Sequence, residues 1–179
     1  VPKINLNETY SRSLSFSEEG IYPFNPKLPG CYELWLNSID TMTVSILDNL
    51  LNPVQSLSGK NILLRYDFEV APYYIKISDN YDYTTEYSFE VAYIPVEAYF
   101  GQNSVNLGTR YFRFVAPYTT EYIINPHSQN AVNMYNADQS ELVKGAIGQA
   151  VITLLEKDKV YYIELSGNTS MLEISLLSS

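Results

Sequence analysis

Apolar side chains recur at every second position along most of this chain, and almost nowhere at helical spacing. In 13–18, Leu14 and Phe16 alternate with serines. Tyr22 and Phe24 then alternate with Ile21 and Pro23. Tyr32, Leu34 and Leu36 fall on one face of the next run, and Cys31, Glu33 and Trp35 on the other. Residues 43–47, 62–68, 73–78 and 86–93 continue the pattern. Glu19-Gly20, Pro29-Gly30, Asn52-Pro53, Ser58-Gly59 and Asp79-Asn80 fall between the runs as turn signals. Roughly seven short strands in about 90 residues predict a β-sandwich. The 17 tyrosines among 179 residues agree, because aromatic residues suit a pleated surface. Residues 138–158 have room for one helical turn, which Gly145 and Gly148 weaken.

The second half of the chain repeats the first. Tyr73-Tyr74-Ile75-Lys76-Ile77-Ser78 matches Tyr161-Tyr162-Ile163-Glu164-Leu165-Ser166. Tyr22-Pro23-Phe24 followed by Tyr32-Glu33-Leu34 matches Phe112-Arg113-Phe114 followed by Tyr122-Ile123-Ile124. Tyr87-Ser88-Phe89-Glu90-Val91 matches Leu172-Glu173-Ile174-Ser175-Leu176. The blocks keep their order at an offset of roughly 85–90 residues, long enough for each copy to own a core. The expected architecture is therefore all-β: two tandem antiparallel β-sandwiches of jelly-roll type, 1–95 and 96–179. Tyr99 and Phe100 fall at the join and are expected to pack between the repeats.

Charge and missing residues exclude several functions. Eleven Lys and Arg stand against 20 Asp and Glu, a formal net charge of -9. Such a chain repels phosphate backbones and anionic lipid, so nucleic acid is not expected as a partner, and no run approaches the ~18 apolar residues of a membrane span, so no membrane insertion is expected. With Cys31 alone there is no internal disulfide and no cysteine zinc site. His127 is the only histidine and follows Pro126, which predicts a surface loop rather than a catalytic base. No nucleophile elbow, phosphate loop or dinucleotide fingerprint is present. The start at Val1 is that of a processed chain or an excised piece.

The segments Glu18-Glu19-Gly20-Ile21-Tyr22-Pro23-Phe24, Leu28-Pro29-Gly30-Cys31-Tyr32-Glu33-Leu34 and Val44-Ser45-Ile46-Leu47-Asp48, with Tyr73–Ile77 and Tyr87–Phe89, carry a resemblance. Tyr111–Phe114, Glu121–Ile124, Val132–Tyr135 and Tyr161–Leu165 carry it in the second repeat. Each repeat resembles the bacterial pre-peptidase C-terminal (PPC-like) domain, and is similar to the collagen-binding modules of clostridial collagenases. The resemblance implies a non-catalytic jelly-roll module beside a secreted peptidase or another surface enzyme, with polymer binding or calcium-linked stabilisation as its role. In some members an acidic pair before the Tyr-x-Phe strand binds calcium. Glu18 and Glu19 hold that place here, whereas the second repeat has Gly108, Thr109 and Arg110.

Trp35 is the lead candidate for a binding residue. If Tyr32, Leu34 and Leu36 face the core, Trp35 faces out beside Glu33. An exposed Trp beside a carboxylate makes a platform for a sugar ring or an extended peptide. The alternative is Trp35 packed in a seam, since Trp is highly buried on average. Tyr74 and Tyr81 are further aromatic candidates. Asp79 and Asp82 flank an Asn-Tyr turn and join Glu18 and Glu19 as candidate calcium ligands, or serve as a solvated hairpin tip. Glu18 and Glu19, adjacent in a strand, point to opposite faces and do not form an acid–base pair. The expected function is a non-catalytic binding module of a secreted or cell-surface bacterial protein, attaching to a glycan or fibrous-protein polymer. The alternatives are a structural spacer of a larger surface protein and, third, a small hydrolase.

Overall fold

A computed structural model describes residues 2–15, 18–79, 84–106, 108–127, 129–167 and 170–177. All its regular elements are strands, and none of the described residues is helical. Among the described residues, no helix is long and apolar enough to cross a membrane. The chain divides into two units, Val1–Ile94 and Pro95–Ser179.

The first unit holds β1 (Tyr10–Leu14), β2 (Glu19–Phe24), β3 (Gly30–Leu47), β4 (Pro53–Phe68), β5 (Tyr73–Asp79) and β6 (Thr85–Tyr93). β3 is long enough to serve two sheet halves. Residues 32–38 of β3 pair with β6, and residues 42–47 pair with β5. β4 follows β3 through both halves, but the register breaks between Asn37↔Asn61 and Met42↔Gly59. Extra residues on one strand of a pair bend it, so the sheet folds over itself here. The front half runs β1-β6-β3-β4 and the back half β2-β5-β3-β4. With β3 and β4 each counted as two strands, this is the eight-strand jelly-roll order.

Alternation explains what fills the space between the halves. Tyr22 and Phe24 of β2 face in from the back, and Tyr32, Phe68 and Phe89 from the front. The Tyr22 and Phe89 rings meet edge to face with centroids 4.8 Å apart, and Phe24 meets Phe68 at 5.1 Å. Such pairs add about 0.5–1.5 kcal/mol beyond burial of area. The hydroxyls of Tyr22 and Tyr87 share a buried hydrogen bond of 2.5 Å.

The second unit holds β7 (Val96–Glu97), β8 (Gly101–Ser104), β9 (Tyr111–Val115), β10 (Thr120–Asn125), β11 (Val132–Asn136), β12 (Glu141–Lys144), β13 (Val151–Leu155), β14 (Val160–Leu165) and β15 (Met171–Leu176). Its sheets run β13-β10-β15-β8 and β12-β11-β14-β9-β7. Place for place, β8, β15, β10 and β13 match β1, β6 and the front parts of β3 and β4. In the other sheet, β9, β14, β11 and β12 match β2, β5 and the back parts. The blocks that align in the sequence lie on these corresponding strands. Matching tyrosines also make matching bonds. Tyr32 donates to the Leu28 carbonyl at 2.5 Å, and Tyr122 to the Tyr118 carbonyl at 2.7 Å. The Glu69 amide donates to the Tyr73 hydroxyl, and the Glu156 amide to that of Tyr161. Many tyrosines are therefore core residues that close their own loops.

Two sequence expectations change. Glu19-Gly20 and Ser58-Gly59 are not turns, because they lie inside β2 and β4. Gly20 is small for packing reasons: a methyl group there would overlap the Tyr87 hydroxyl and sit 2.9 Å from the Tyr22 ring. Residues 138–158 form β12 and β13 instead of a helical turn. Within the second unit, Phe100 meets Tyr122 at 6.5 Å.

Candidate functional site

The outward face of the front half of the first unit gathers the side chains that sequence left uncommitted. Tyr32, Leu34 and Leu36 are buried, so Trp35 points the other way and keeps 45 % of its surface accessible. Register places Trp35 between Leu63 of β4, itself 48 % exposed, and Glu90 of β6. The next row along the strands is Ser11, Ser88, Asn37 and Asn61, one from each of β1, β6, β3 and β4. Beyond it, Ser13 of β1 opposes Glu86 of β6 and donates to its carboxylate at 3.3 Å. An open groove of about 710 Å³ lies over the last two rows, with exposed Ile39 on its border.

The floor of this groove is closed to backbone pairing. β6 and β3 each have a strand on both sides, so their main-chain groups are spent in the ladders. What the face offers is side chains: hydroxyls and carboxamides, which both donate and accept, beside one large aromatic ring. Among the described residues, the side chains of Ser11, Ser88, Asn37 and Asn61 have no hydrogen-bond partner in the protein.

The other sequence candidates are dispersed. Glu33 shares the face with Trp35, but it does not stand free. It is 7 % exposed, and the Arg65 guanidinium, opposite it in register, donates to it at 2.7 Å. The reading of Glu33 as an open acceptor is thus corrected, and the cause is the cross-strand cation. Tyr74 lies on β5, which pairs with the back part of β3, so its outward side chain belongs to the opposite face of the sandwich from Trp35. Tyr81 and Asp82 lie outside the described residues.

Three of the acidic residues considered for calcium have partners within the protein. Glu18 lies 3.4 Å from Arg12 and Glu19 lies 3.4 Å from Lys76, so each carboxylate already faces a cation of the protein. Asp79 accepts a 2.6 Å bond from Thr85. Among the described residues, no three His, Cys, Asp or Glu are grouped to hold a metal ion.

Cys31 is half-buried, and burial pushes its thiol up, with Asp67 adding to the shift and Arg65 opposing it. A thiol held protonated is a poor nucleophile. His127 takes a left-handed turn conformation (φ 52), and its Nε2 lies 3.5 Å from Glu173.

One polar cluster had no sequence signal. On the second unit, Glu164 of β14 accepts from Tyr111 of β9 at 2.8 Å, Tyr135 of β11 at 2.9 Å and Asn133 of β11 at 3.0 Å. Burial alone would raise this carboxyl, but the three donors and the Arg110 charge outweigh it and hold it below the ordinary carboxylate range. Tyr111 is pushed up to about 12, first by burial and then by Glu164. A depressed carboxyl stabilises the fold above its unfolded pKa, and that contribution fades as pH falls through the folded value. Glu164→Gln is therefore expected to cost on the order of 1 kcal/mol at pH 7, discounted for partial exposure. The deficit against wild type should shrink towards pH 3 in urea titrations. A deficit independent of pH would contradict the assignment.

No protein-family model matches the chain, and no curated protein matches it. Among solved structures, the PBSX exported protein XepA aligns with 94 % of this chain and 81 % of its own, at 9 % identity and a TM-score of 0.27. A likeness of that size carries no argument about fold or function.

Proposed function

We propose that this chain is a non-catalytic attachment module of an exported bacterial protein, and that it holds a polymer against the Trp35 face. The observation that carries the reading is an indole 45 % exposed in the middle of a sheet face, with Leu63 exposed beside it. Large apolar groups left open on an ordered surface mark contact sites, and a flat ring flanked by polar groups suits a flat repeating ligand. The dispersal of the carboxylates supports a binding role over a hydrolytic one. Glu33, Glu18 and Glu19 are each held by a cation of the protein, and Glu164 by three donors. The net charge of -9 adds that the polymer is not strongly anionic.

Retention on insoluble polymers tests the proposal. Peptidoglycan, cellulose, chitin, mucin and fibrillar collagen are each incubated with wild type and with Trp35→Ala. Wild type should be retained on at least one, and the substitution should weaken retention about tenfold or more. Trp35→Ala should cost about 1–2 kcal/mol of stability, because more than half of the indole is covered by its neighbours, and should still leave the unit folded. Equal retention of both proteins, or none on any polymer, would contradict the proposal, and the second result would favour a spacer role.

A further inference from the structure

We infer that the polymer is an uncharged polysaccharide, seated in the groove beside Trp35 with its chain running across the strands; this rests on the attachment reading above. Four features lead to it. The row Ser11, Ser88, Asn37 and Asn61 is in register across four strands, and its side chains have no partners among the described residues. Hydroxyls and carboxamides both donate and accept, as sugar hydroxyls do, and they bring no positive charge to pair with phosphate or carboxylate. Four strands about 4.8 Å apart span about 14 Å, the length of a short run of sugar rings. Trp35 borders the row two residues away on β3, where its face can stack on a ring while the row holds that ring's hydroxyls.

The groove also disfavours other polymers. A peptide that pairs with a sheet edge would lie along the outer side of β1 or β4, away from the groove floor, because β3 and β6 are paired on both sides. An anionic chain would meet Glu86 and Glu90 on the same face and an overall charge of -9.

The experiment is calorimetric titration with soluble cellohexaose and chitohexaose, repeated on Asn37→Ala/Asn61→Ala and on Ser88→Ala. Fibrillar collagen and polygalacturonate pull-downs run beside it, and far-UV circular dichroism with melting checks that each variant folds. At least one neutral hexaose should bind. The double variant should weaken that binding about tenfold or more, and Ser88→Ala by less. Raising salt should leave the affinity unchanged, because a neutral ligand has no charge to screen. Hexaose binding that ignores Asn37, Asn61 and Ser88 would overturn the placement in the groove. Trp35-dependent retention on collagen or polygalacturonate, with both hexaoses ignored, would overturn the polysaccharide assignment while leaving attachment standing. Loss of Trp35 dependence everywhere would remove both.

Discussion

Phe89→Ala is expected to lower the stability of the first unit by about 3–5 kcal/mol, as large-to-small aromatic changes in cores do. Phe89 lies on β6, is 1 % exposed, and stands where the two sheet halves meet. Its ring contacts Tyr22 at 4.8 Å, Tyr10 at 5.4 Å and Tyr87 at 6.2 Å. Tyr22 and Tyr87 are also tied by their hydroxyls, so they cannot collapse freely into the space left behind. A cavity that its lining cannot fill costs the lost contacts as well as the lost burial. Against a total of about 5–15 kcal/mol, such a loss leaves the unit marginal or unfolded at room temperature. Trp35 is the only Trp and sits in this unit, so urea unfolding followed by its emission reads the change directly. Phe89→Leu should recover much of the midpoint. A shift below about 1 kcal/mol for Phe89→Ala would mean that the sandwich does not close on this ring.

Gly145→Ala should be the most damaging small substitution in the second unit, at about 1–3 kcal/mol for one added methyl group. The Gly145 amide donates to the Val132 carbonyl at 2.8 Å, just after β12 ends against β11. A Cβ built there overlaps that same carbonyl oxygen and stands 2.9 Å from Val151 Cγ2. Val132 is fully buried and its backbone cannot retreat without breaking the β11–β14 ladder. Thermal unfolding followed at 218 nm is the check. A melting temperature within about one degree of wild type would contradict the packing described.

The period-two pattern was enough to read the inward faces. Tyr32, Leu34 and Leu36 are buried and Trp35 is outward because strand geometry leaves no other choice once one of them is inside. What sequence could not show depends on partners distant in the chain. Glu33 occupies an outward position, yet Arg65 covers it from the neighbouring strand. Gly20, read as a turn, lies within β2, where the missing side chain marks a close neighbour, and Gly59 lies within β4 at the register break. The bend that splits β3 between two sheet halves lies where Ser38–Thr41 oppose Lys60, and nothing in those residues announces it. Asn37, Asn61, Ser88 and Ser11 are unremarkable on their own strands and form a row only through the pairing register.

Quenching of Trp35 emission by acrylamide tests the central claim most directly, because one indole reports on the one proposed surface. The free protein should be readily quenched. Bound to whichever polymer retains it, the same indole should be shielded and its emission shifted to the blue. An indole equally open to acrylamide with and without the polymer would mean that attachment, if it occurs, happens somewhere else on the molecule.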